Sequence, residues 1–560
     1  MNARLDAKLM APRTHHQGLW RWLTSTWLVA LLVALPVFSV FYLALFPKEN
    51  IWSHLADTVL PVYIITTLEL MIGVGILSAI GGVATAWLVT MCRFPGKKYF
   101  EWALMLPFAV PAYVIAYVYT DLLEYAGPVQ STLREIFGWQ TARDYWFPEI
   151  RSLGGAILML SLVLYPYVYM LTRASFLEQS NSLRDASRLL GCSPWQSFFR
   201  ISLPIARPAI AVGLALVLME TINDFGTVDF FAVKSMSAGI YDTWLNMGNL
   251  GGSAQIASLM MLFVVALIML ERLARARQKQ FNSNDRFKAL DTFKLTGLPA
   301  VLAWLFCAVP VVFGFLLPVG ILARYALRHL DQLDQESFFT FAGNSFFLSA
   351  TAALVTILIA LLLAYCKRLH NRKSLQGAAN FASLGYAMPG AVLAIGVIIP
   401  LAAFDNSVDS FMRDTFGIST GLLLSGTTFA IIFAYSVRFL AVSVGAVESS
   451  LSKVTPTMDM ASRSLGHSPM QTLVRVHLPL IKGGIASAAL VVFVDCMKEL
   501  PATLILRPFN YDTLATFVYQ YASDEMLEEC ALAALFIVAV GIIPVIMLTR
   551  TITGTRAQVE

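Results

Sequence analysis

Apolar residues in this chain gather into long unbroken runs instead of the alternating or three-to-four-residue patterns of a soluble fold. Twelve such runs stand out, at 22–46, 63–91, 100–122, 152–172, 208–232, 254–271, 298–323, 341–365, 376–404, 421–446, 483–506 and 530–549. About 20 mostly apolar residues cover the roughly 30 Å of hydrocarbon in a bilayer, so each run predicts a membrane-crossing helix. Composition agrees: 57% hydrophobic and 13% charged residues, with a mean hydropathy of +0.68, exclude a single soluble core for 560 residues. An all-α integral membrane protein follows, with the lipid bilayer as its first partner.

Charge orients the spans. Most of the 40 Lys and Arg fall in alternate polar segments, richest at 173–207, 272–294 and 367–373, whereas acids such as Asp331, Asp334, Glu336, Asp524, Glu525, Glu528 and Glu529 fall in the others. Cytoplasmic loops retain positive charge, so the pattern predicts both termini inside. The net charge of +5 is then a cytoplasmic rim and calls for no nucleic acid. Arg4, Lys8, Arg13 and Arg21 resemble the start of a secretory signal, but the apolar run behind them is too long and lacks a small-x-small site, which predicts a retained first span. Cys92, Cys192 and Cys366 fall on the inner side, Cys307 and Cys496 within spans and Cys530 near an outer helix end; no disulfide framework or zinc spacing emerges.

One polar segment occurs twice. G-C-S-P-W-Q-S-F-F-R-I-S-L-P, from Gly191, returns as G-H-S-P-M-Q-T-L-V-R-V-H-L-P from Gly466, 275 positions on (466 − 191). Between 185–210 and 460–485 the shared residues are Ala186, Ser187, Arg188, Leu190, Gly191, Ser193, Pro194, Gln196, Arg200, Leu203, Pro204 and Ile210 with their equivalents. The spans around them match less well, so the segment carries a task that hydropathy does not explain. Each copy predicts a short helix ended by Gly191 or Gly466, since glycine accepts the left-handed backbone of a C-terminal cap. A second helix begins at Ser193 or Ser468, with Pro194 or Pro469 at its first position and Gln196 or Gln471 closing a capping box. Leu203-Pro204 and Leu478-Pro479 are expected to end it before the next span. A lone copy reads equally well as a helix lying on the membrane surface; two copies at equivalent, inward-facing positions favour a docking element. The chain divides accordingly into a first half, 1–271, with its polar loop at about 179–207, a basic linker at 272–297, and a second half, 298–560, with its loop at about 453–482. Six spans per half make the repeats parallel.

These residues resemble a known family. E-A-A-x-x-x-G followed nine residues later by I-x-L-P marks the coupling loop of membrane subunits in bacterial ATP-binding-cassette importers. It stands here as D-A-S-R-L-L-G-C-S-P-W-Q-S-F-F-R-I-S-L-P from Asp185 and M-A-S-R-S-L-G-H-S-P-M-Q-T-L-V-R-V-H-L-P from Met460. Further stretches, L-P-F-A-V-P-A-Y-V-I-A-Y-V-Y-T-D-L from Leu106, E-T-I-N-D-F-G-T-V from Glu220 and K-E-L-P-A-T-L-I-L-R-P-F from Lys498, look like the ferric-iron branch. The resemblance implies a fused two-half permease of the type I importer fold in an inner (plasma) membrane. It implies partnership with two copies of an ATP-binding subunit, which hold ATP and magnesium, and with a periplasmic or lipid-anchored solute-binding protein. Asp185, Ala186, Ser187, Gly191, Ser193, Pro194, Gln196, Leu203 and Pro204, with Ala461, Ser462, Gly466, Ser468, Pro469, Gln471, Leu478 and Pro479, would then contact the ATPases. Two departures qualify this: Met460 replaces the first acid, so its contact is lost or passes to Asp459, and Ser187 and Ser462 replace alanine. Related thiamine and polyamine permeases share much of the plan.

No G-x-x-x-x-G-K-[ST] loop and no catalytic triad is present, so the chain is not expected to be an enzyme or to hold a cofactor of its own. Glu220 and Asp224, and 275 residues on Asp495 and Glu499, place carboxylates at i and i+4 within spans, with Lys498 beside them. Buried carboxylates in a membrane face a cavity or a partner. Four of them converging would suit a transient ferric ion, a hard cation that prefers oxygen. The competing readings are helix-to-helix hydrogen bonding, pairing with Lys498, or contact with the binding protein at the outer mouth. Asp229, Arg507 and Glu69 read as outer-mouth residues, Pro107, Pro111, Pro389 and Pro501 as bends, and Trp20, Trp22, Trp146 and Tyr511 as interfacial anchors. The loop 123–151 is long enough to dock a soluble partner. A secondary transporter of the major-facilitator type also has twelve spans in two parallel halves, but it leaves the doubled capped segment unexplained.

Overall fold

The computed structural model describes residues 19–177, 179, 194–276, 293–332, 334–369, 373–382, 385 and 388–557. Among them eleven helices are long and apolar enough to cross a membrane, from Trp22–Leu45 to Leu527–Met547, and a twelfth span is the bent pair Lys97–Ala109 and Ala112–Phe137. Every run expected from the sequence has its helix. The described residues are all-α apart from a two-residue parallel ladder, Cys92–Arg93 with Phe293–Lys294.

The third span differs from the continuous helix expected at 100–122, because its two parts meet at 89°. Val110 is extended (φ −88°, ψ 122°), as is Pro111 (ψ 141°). Proline removes one ladder donor and drives the residue before it out of the helical region, which is sufficient to break the helix here. The run at 376–404 divides likewise: Lys373–Ala382 is separate, and Gly390–Phe416 starts directly after Pro389. The fifth and eleventh spans also stop early, at Asn223 and Met497, and short helices Gly226–Phe230 and Pro501–Leu506 follow.

Two compact units are present. One holds the described residues of Met1–Ser39, Ser349–Met388 and Gly396–Cys496; the other holds those of Val40–Leu348, Pro389–Ile395 and Met497–Glu560. Each therefore draws on both halves of the sequence. In the larger unit, glycines let helices approach closely: a Cβ at Gly82 would lie 2.7 Å from Val168 Cβ and 2.8 Å from the Tyr169 amide nitrogen. Small residues at such crossings are the usual basis of helix association in lipid, where the hydrophobic effect contributes little. Gly82→Leu is expected to destabilise the chain by about 3 kcal/mol through overpacking, seen as a lower thermal midpoint in detergent. Gly320→Leu, with nothing within 4 Å, should leave the midpoint unchanged. The described cysteines Cys92, Cys307, Cys366, Cys496 and Cys530 are buried free thiols.

Candidate coupling site and intramembrane carboxylates

The second copy of the doubled segment is described in full. Its first helix, Pro456–Ser464, ends in the hydrogen bonds of a Schellman cap: Gly466 N–H donates to Arg463 C=O at 2.9 Å, and His467 N–H donates to Ser462 C=O at 3.2 Å. Gly466 takes φ +81°, the left-handed value that a side chain resists. The next helix opens at Ser468, whose Oγ accepts from Gln471 N–H at 3.3 Å while Gln471 Oε1 accepts from Ser468 N–H at 2.8 Å. Both arms of the expected capping box are thus made, with Pro469 at the first position. Ser462, where the family pattern has alanine, is 4% exposed and its hydroxyl lies 2.9 Å from Thr472 Oγ1 and 3.2 Å from His467 Nδ1. That serine ties the two short helices across the glycine turn.

Beneath them a polar clasp fixes the segment to the rest of its unit. Asp459 Oδ2 accepts from Arg368 Nε at 3.0 Å, and Asp459 Oδ1 lies 2.6 Å from His477 Nε2. Arg368 also donates to the carbonyls of Leu451 and Val454. Met460, at the family's acidic position, is largely exposed, and it is the neighbouring Asp459 that makes polar contacts here. Burial alone would raise the Asp459 pKa. The hydrogen bonds from Arg368 and His477 and the guanidinium charge outweigh it and hold the carboxyl below the usual carboxylate range.

The helix does not end at Leu478-Pro479. Pro469–Thr472 runs through a five-residue π turn, Leu473–His477, straight into the span Leu478–Met497. Leu478 N–H bonds to Leu473 C=O, five residues back, and Pro479 follows directly after that change of register, at the start of the span. The first copy repeats this from Pro194: Pro194–Ser197, a π turn Phe198–Ser202 with Leu203 N–H on Phe198 C=O, then Leu203–Asn223 with Pro204 at its start. Gln196 is exposed there. Asp185, Ala186, Ser187, Gly191 and Ser193 lie outside the described residues, and Pro194 is described by its backbone alone.

Residues that the identities between copies did not single out project from both segments. Trp195 and Phe199 are 62% and 58% exposed, and their equivalents Met470 and Val474 are 58% and 49% exposed. Each pair is spaced i, i+4 and so shares one helix face. Leu465 adds a third exposed apolar side chain to the second copy.

The four carboxylates are placed otherwise than the i, i+4 spacing suggested. Glu220 lies half-buried in the last turn of Leu203–Asn223, and Asp224 has left the helix with an extended backbone (ψ 131°). Its Oδ1 accepts from Thr227 N–H at 3.0 Å and Val228 N–H at 3.2 Å, and its Oδ2 accepts from Thr227 Oγ1 at 3.1 Å. Glu499, 5% exposed, does the same for Pro501–Leu506, accepting from Ala502 N–H at 3.0 Å and from Thr503 N–H and Oγ1 at 3.2 and 2.8 Å. Both acids cap short helices whose first donors have no helical partner. Their turns touch: a Cβ on Gly226 would stand 2.9 Å from Leu500 Cδ2. Asp495 is half-buried in the last turn of Leu478–Met497, and Lys498 Nζ lies 4.6 Å from the Phe108 ring centre. Among the described residues no three His, Cys, Asp or Glu side chains come together as a metal cage, because Asp224 and Glu499 turn their oxygens onto backbone. Asp229 accepts from Tyr519 Oη at 2.6 Å, and Arg507 pairs with Asp512, so these two of the three candidate outer-mouth residues are engaged within the chain.

A family model for the inner membrane component of binding-protein-dependent transport systems matches residues 71–280 and again 356–553. The chain belongs to this family, twice over. The permease carries both copies in one polypeptide, and each match contains one copy of the doubled segment and one capped turn. Its relatives include the Fe(3+)-transport system permease protein FbpB 2 of Haemophilus influenzae, 26% identical over 86% of this chain and 88% of that protein. The molybdenum transport system permease protein ModB of Escherichia coli is 27% identical, covering 36% of this chain and 86% of its own length. The sulfate transport system permease protein CysT of the same species is 27% identical over 42% of the permease and 77% of its own length.

Asn caps a helix about as well as Asp. Asp224→Asn in this permease is therefore expected to keep at least half of the transport rate, whereas Asp224→Ala loses about 1 kcal/mol of stability with the cap. Uptake abolished by the asparagine variant at unchanged stability would mean that the charge itself is used.

Proposed function

We propose that the chain is the membrane subunit of an ATP-driven importer that takes ferric iron from a solute-binding protein into the cytoplasm. The observation that carries the importer reading is the doubled capped segment, which presents an exposed apolar pair, Trp195 and Phe199 or Met470 and Val474, on a polar loop. Such pairs fit clefts on two ATP-binding subunits, which bind ATP with magnesium and drive the change between inward- and outward-facing states. The π turns join each coupling helix to a span without a break, so a push on one end moves the other. Both termini and both coupling segments are assigned to the cytoplasm by the Lys and Arg distribution, and the binding protein to the opposite face.

Iron is favoured because FbpB 2 matches both halves in one alignment, whereas ModB and CysT each match less than half of the chain. Glu220 and Asp495, one turn before the capped breaks, are assigned to the path, with Lys498 beside them. The test is ATP-dependent uptake in vesicles holding this chain, its ATPase and its binding protein, with ferric iron, molybdate, sulfate, thiamine and polyamine offered in parallel. Iron uptake that stops without ATP supports the reading; uptake of another solute with iron ignored replaces the substrate, and uptake indifferent to ATP removes the importer class.

A further inference from the structure

The linker between the two halves ends in the short parallel ladder. Arg93 is the partner of Lys294 there, although the two stand 201 positions apart (294 − 93), and Leu295 N–H continues the pairing by donating to Arg93 C=O at 3.0 Å. Side chains alternate along a strand: Cys92 is buried, whereas Arg93 and Lys294 are exposed. Two cations therefore stand side by side on one face of the ladder. Like charges placed so on neighbouring strands are destabilising, and among the described residues neither meets a carboxylate. Glu101, in the helix Lys97–Ala103 that follows, pairs instead with Arg173 at 3.3 Å. Lys98, exposed on that helix, adds a third cation.

The neighbours set the depth of this patch in the membrane. Tyr99 and Trp102 on the same helix, and Leu298 and Trp304 on the span that follows the linker, are all exposed. The two elements meet: the Trp304 and Phe100 ring centres lie 6.0 Å apart, and Trp304 Nε1 stands 3.6 Å from where a Cβ on Gly96 would lie. Exposed tryptophan and tyrosine gather at the headgroup level of a bilayer. The cations thus sit level with lipid phosphates, beside apolar side chains that can take acyl chains.

We propose that Arg93, Lys294 and Lys98 hold the phosphate of an anionic phospholipid in the inner leaflet, and that the bound phosphate fastens the linker to the first half. The choice of leaflet rests on the orientation in the importer reading; the site itself does not. A guanidinium takes phosphate oxygens in pairs and an ammonium adds a point charge, so a phosphate between Arg93 and Lys294 turns a repelling pair into a bridge. Soluble phosphate offers the same oxygens but no chains to lie against Tyr99, Trp102 and Leu298. Bases are expected in every inner loop; these differ because backbone hydrogen bonds hold them side by side.

Native mass spectrometry of the assembled transporter, delipidated in detergent and titrated with phosphatidylglycerol or phosphatidylcholine, counts the bound lipids. The parent should take up phosphatidylglycerol first. Each base near an anionic leaflet contributes about fivefold to affinity, so Arg93→Gln with Lys294→Gln should raise the half-saturating phosphatidylglycerol concentration at least tenfold. Lys294→Glu sets opposite charges across the ladder, which keeps it closed, yet should raise that concentration as much. Lys453→Gln, an exposed inner-face base in the other compact unit, should change nothing. Equal phosphatidylglycerol binding in the parent and both ladder variants, all eluting as the same complex, overturns the proposal. So does a parent that binds phosphatidylcholine equally well, or one whose lipid inorganic phosphate displaces, since the cations would then serve a soluble anion. Vesicle uptake that is indifferent to ATP while the lipid shifts persist would remove the importer reading and leave the lipid site. ATP-driven uptake with lipid binding indifferent to the variants would remove the lipid site alone.

Discussion

Met470→Asp is expected to cut ATP-driven uptake more than tenfold while the chain still inserts and elutes as before. The side chain is 58% exposed, so the change costs the isolated chain little. In the assembled transporter the same side chain would be buried against an ATP-binding subunit. Losing one buried methionine costs about 2 kcal/mol of docking energy, roughly a thirtyfold loss of affinity, and burying a new unpaired charge adds to it. Trp195→Asp should act in the same way at the other segment, tempered because Trp195 also stacks on Trp87 with ring centres 5.4 Å apart. Since a working ATPase pair needs both docking sites, either single change should suffice. Full uptake in both variants would show that the exposed pairs are not the contact.

Arg368→Ala should uncouple the cycle: ATP hydrolysis continues, but uptake falls severalfold or more. The substitution releases the Leu451 and Val454 carbonyls and leaves Asp459 with His477 alone. Breaking a fully buried pair costs about 3–5 kcal/mol. Arg368 and Asp459 retain 17% and 21% exposure, so about 2 kcal/mol is expected, read as a lower thermal midpoint. The coupling helices would still dock, but on a loosened hinge that no longer transmits the push. The pH dependence has a definite sign. The folded-state pKa of Asp459 is depressed, so its contribution is present above the ordinary carboxylate value of about 4 and is lost only as pH falls further, through the folded value. Coupling in the parent chain should therefore hold at pH 5. Uncoupling between pH 7 and 5 that Arg368→Ala leaves unaltered would show that another group titrates.

Local chemistry made much of the coupling segment readable. A serine three residues before a glutamine, a proline between them and a glycine ahead specify their own hydrogen bonds, and Ser468, Pro469, Gln471 and Gly466 make them as expected. The clasp was readable only as a substitution, Met460 beside Asp459, because Arg368 is 91 residues from its acid and no local rule spans that separation. The prolines misled in one direction and guided in another. Pro479 looked like a stop and instead follows a π turn, whose register shift leaves no trace in spacing. Pro111 marked a real break, since no such shift rescues it.

Asp224 and Glu499 depart from the expected shared helix face for a specific reason. Placing Asp224 on the face of Glu220 assumed an uninterrupted helix, and the chain leaves that helix at Asp224 itself. The signal for this was present: Asp224 precedes Thr227 by three, and Glu499 precedes Pro501-Ala502-Thr503, both cap patterns. The exposed pairs were overlooked because tryptophan and methionine differ between the copies, although a greasy docking face needs only apolar bulk and leaves residue identity free.

The account's central claim is that one chain carries two equivalent docking sites for ATP-binding subunits. Native mass spectrometry of the complex isolated through a tag on this chain measures that directly. The expected mass is one permease chain with two ATP-binding subunits, falling to one such subunit in Met470→Asp or Trp195→Asp. A chain that repeatedly flies alone, or that retains both subunits in each variant, would contradict it.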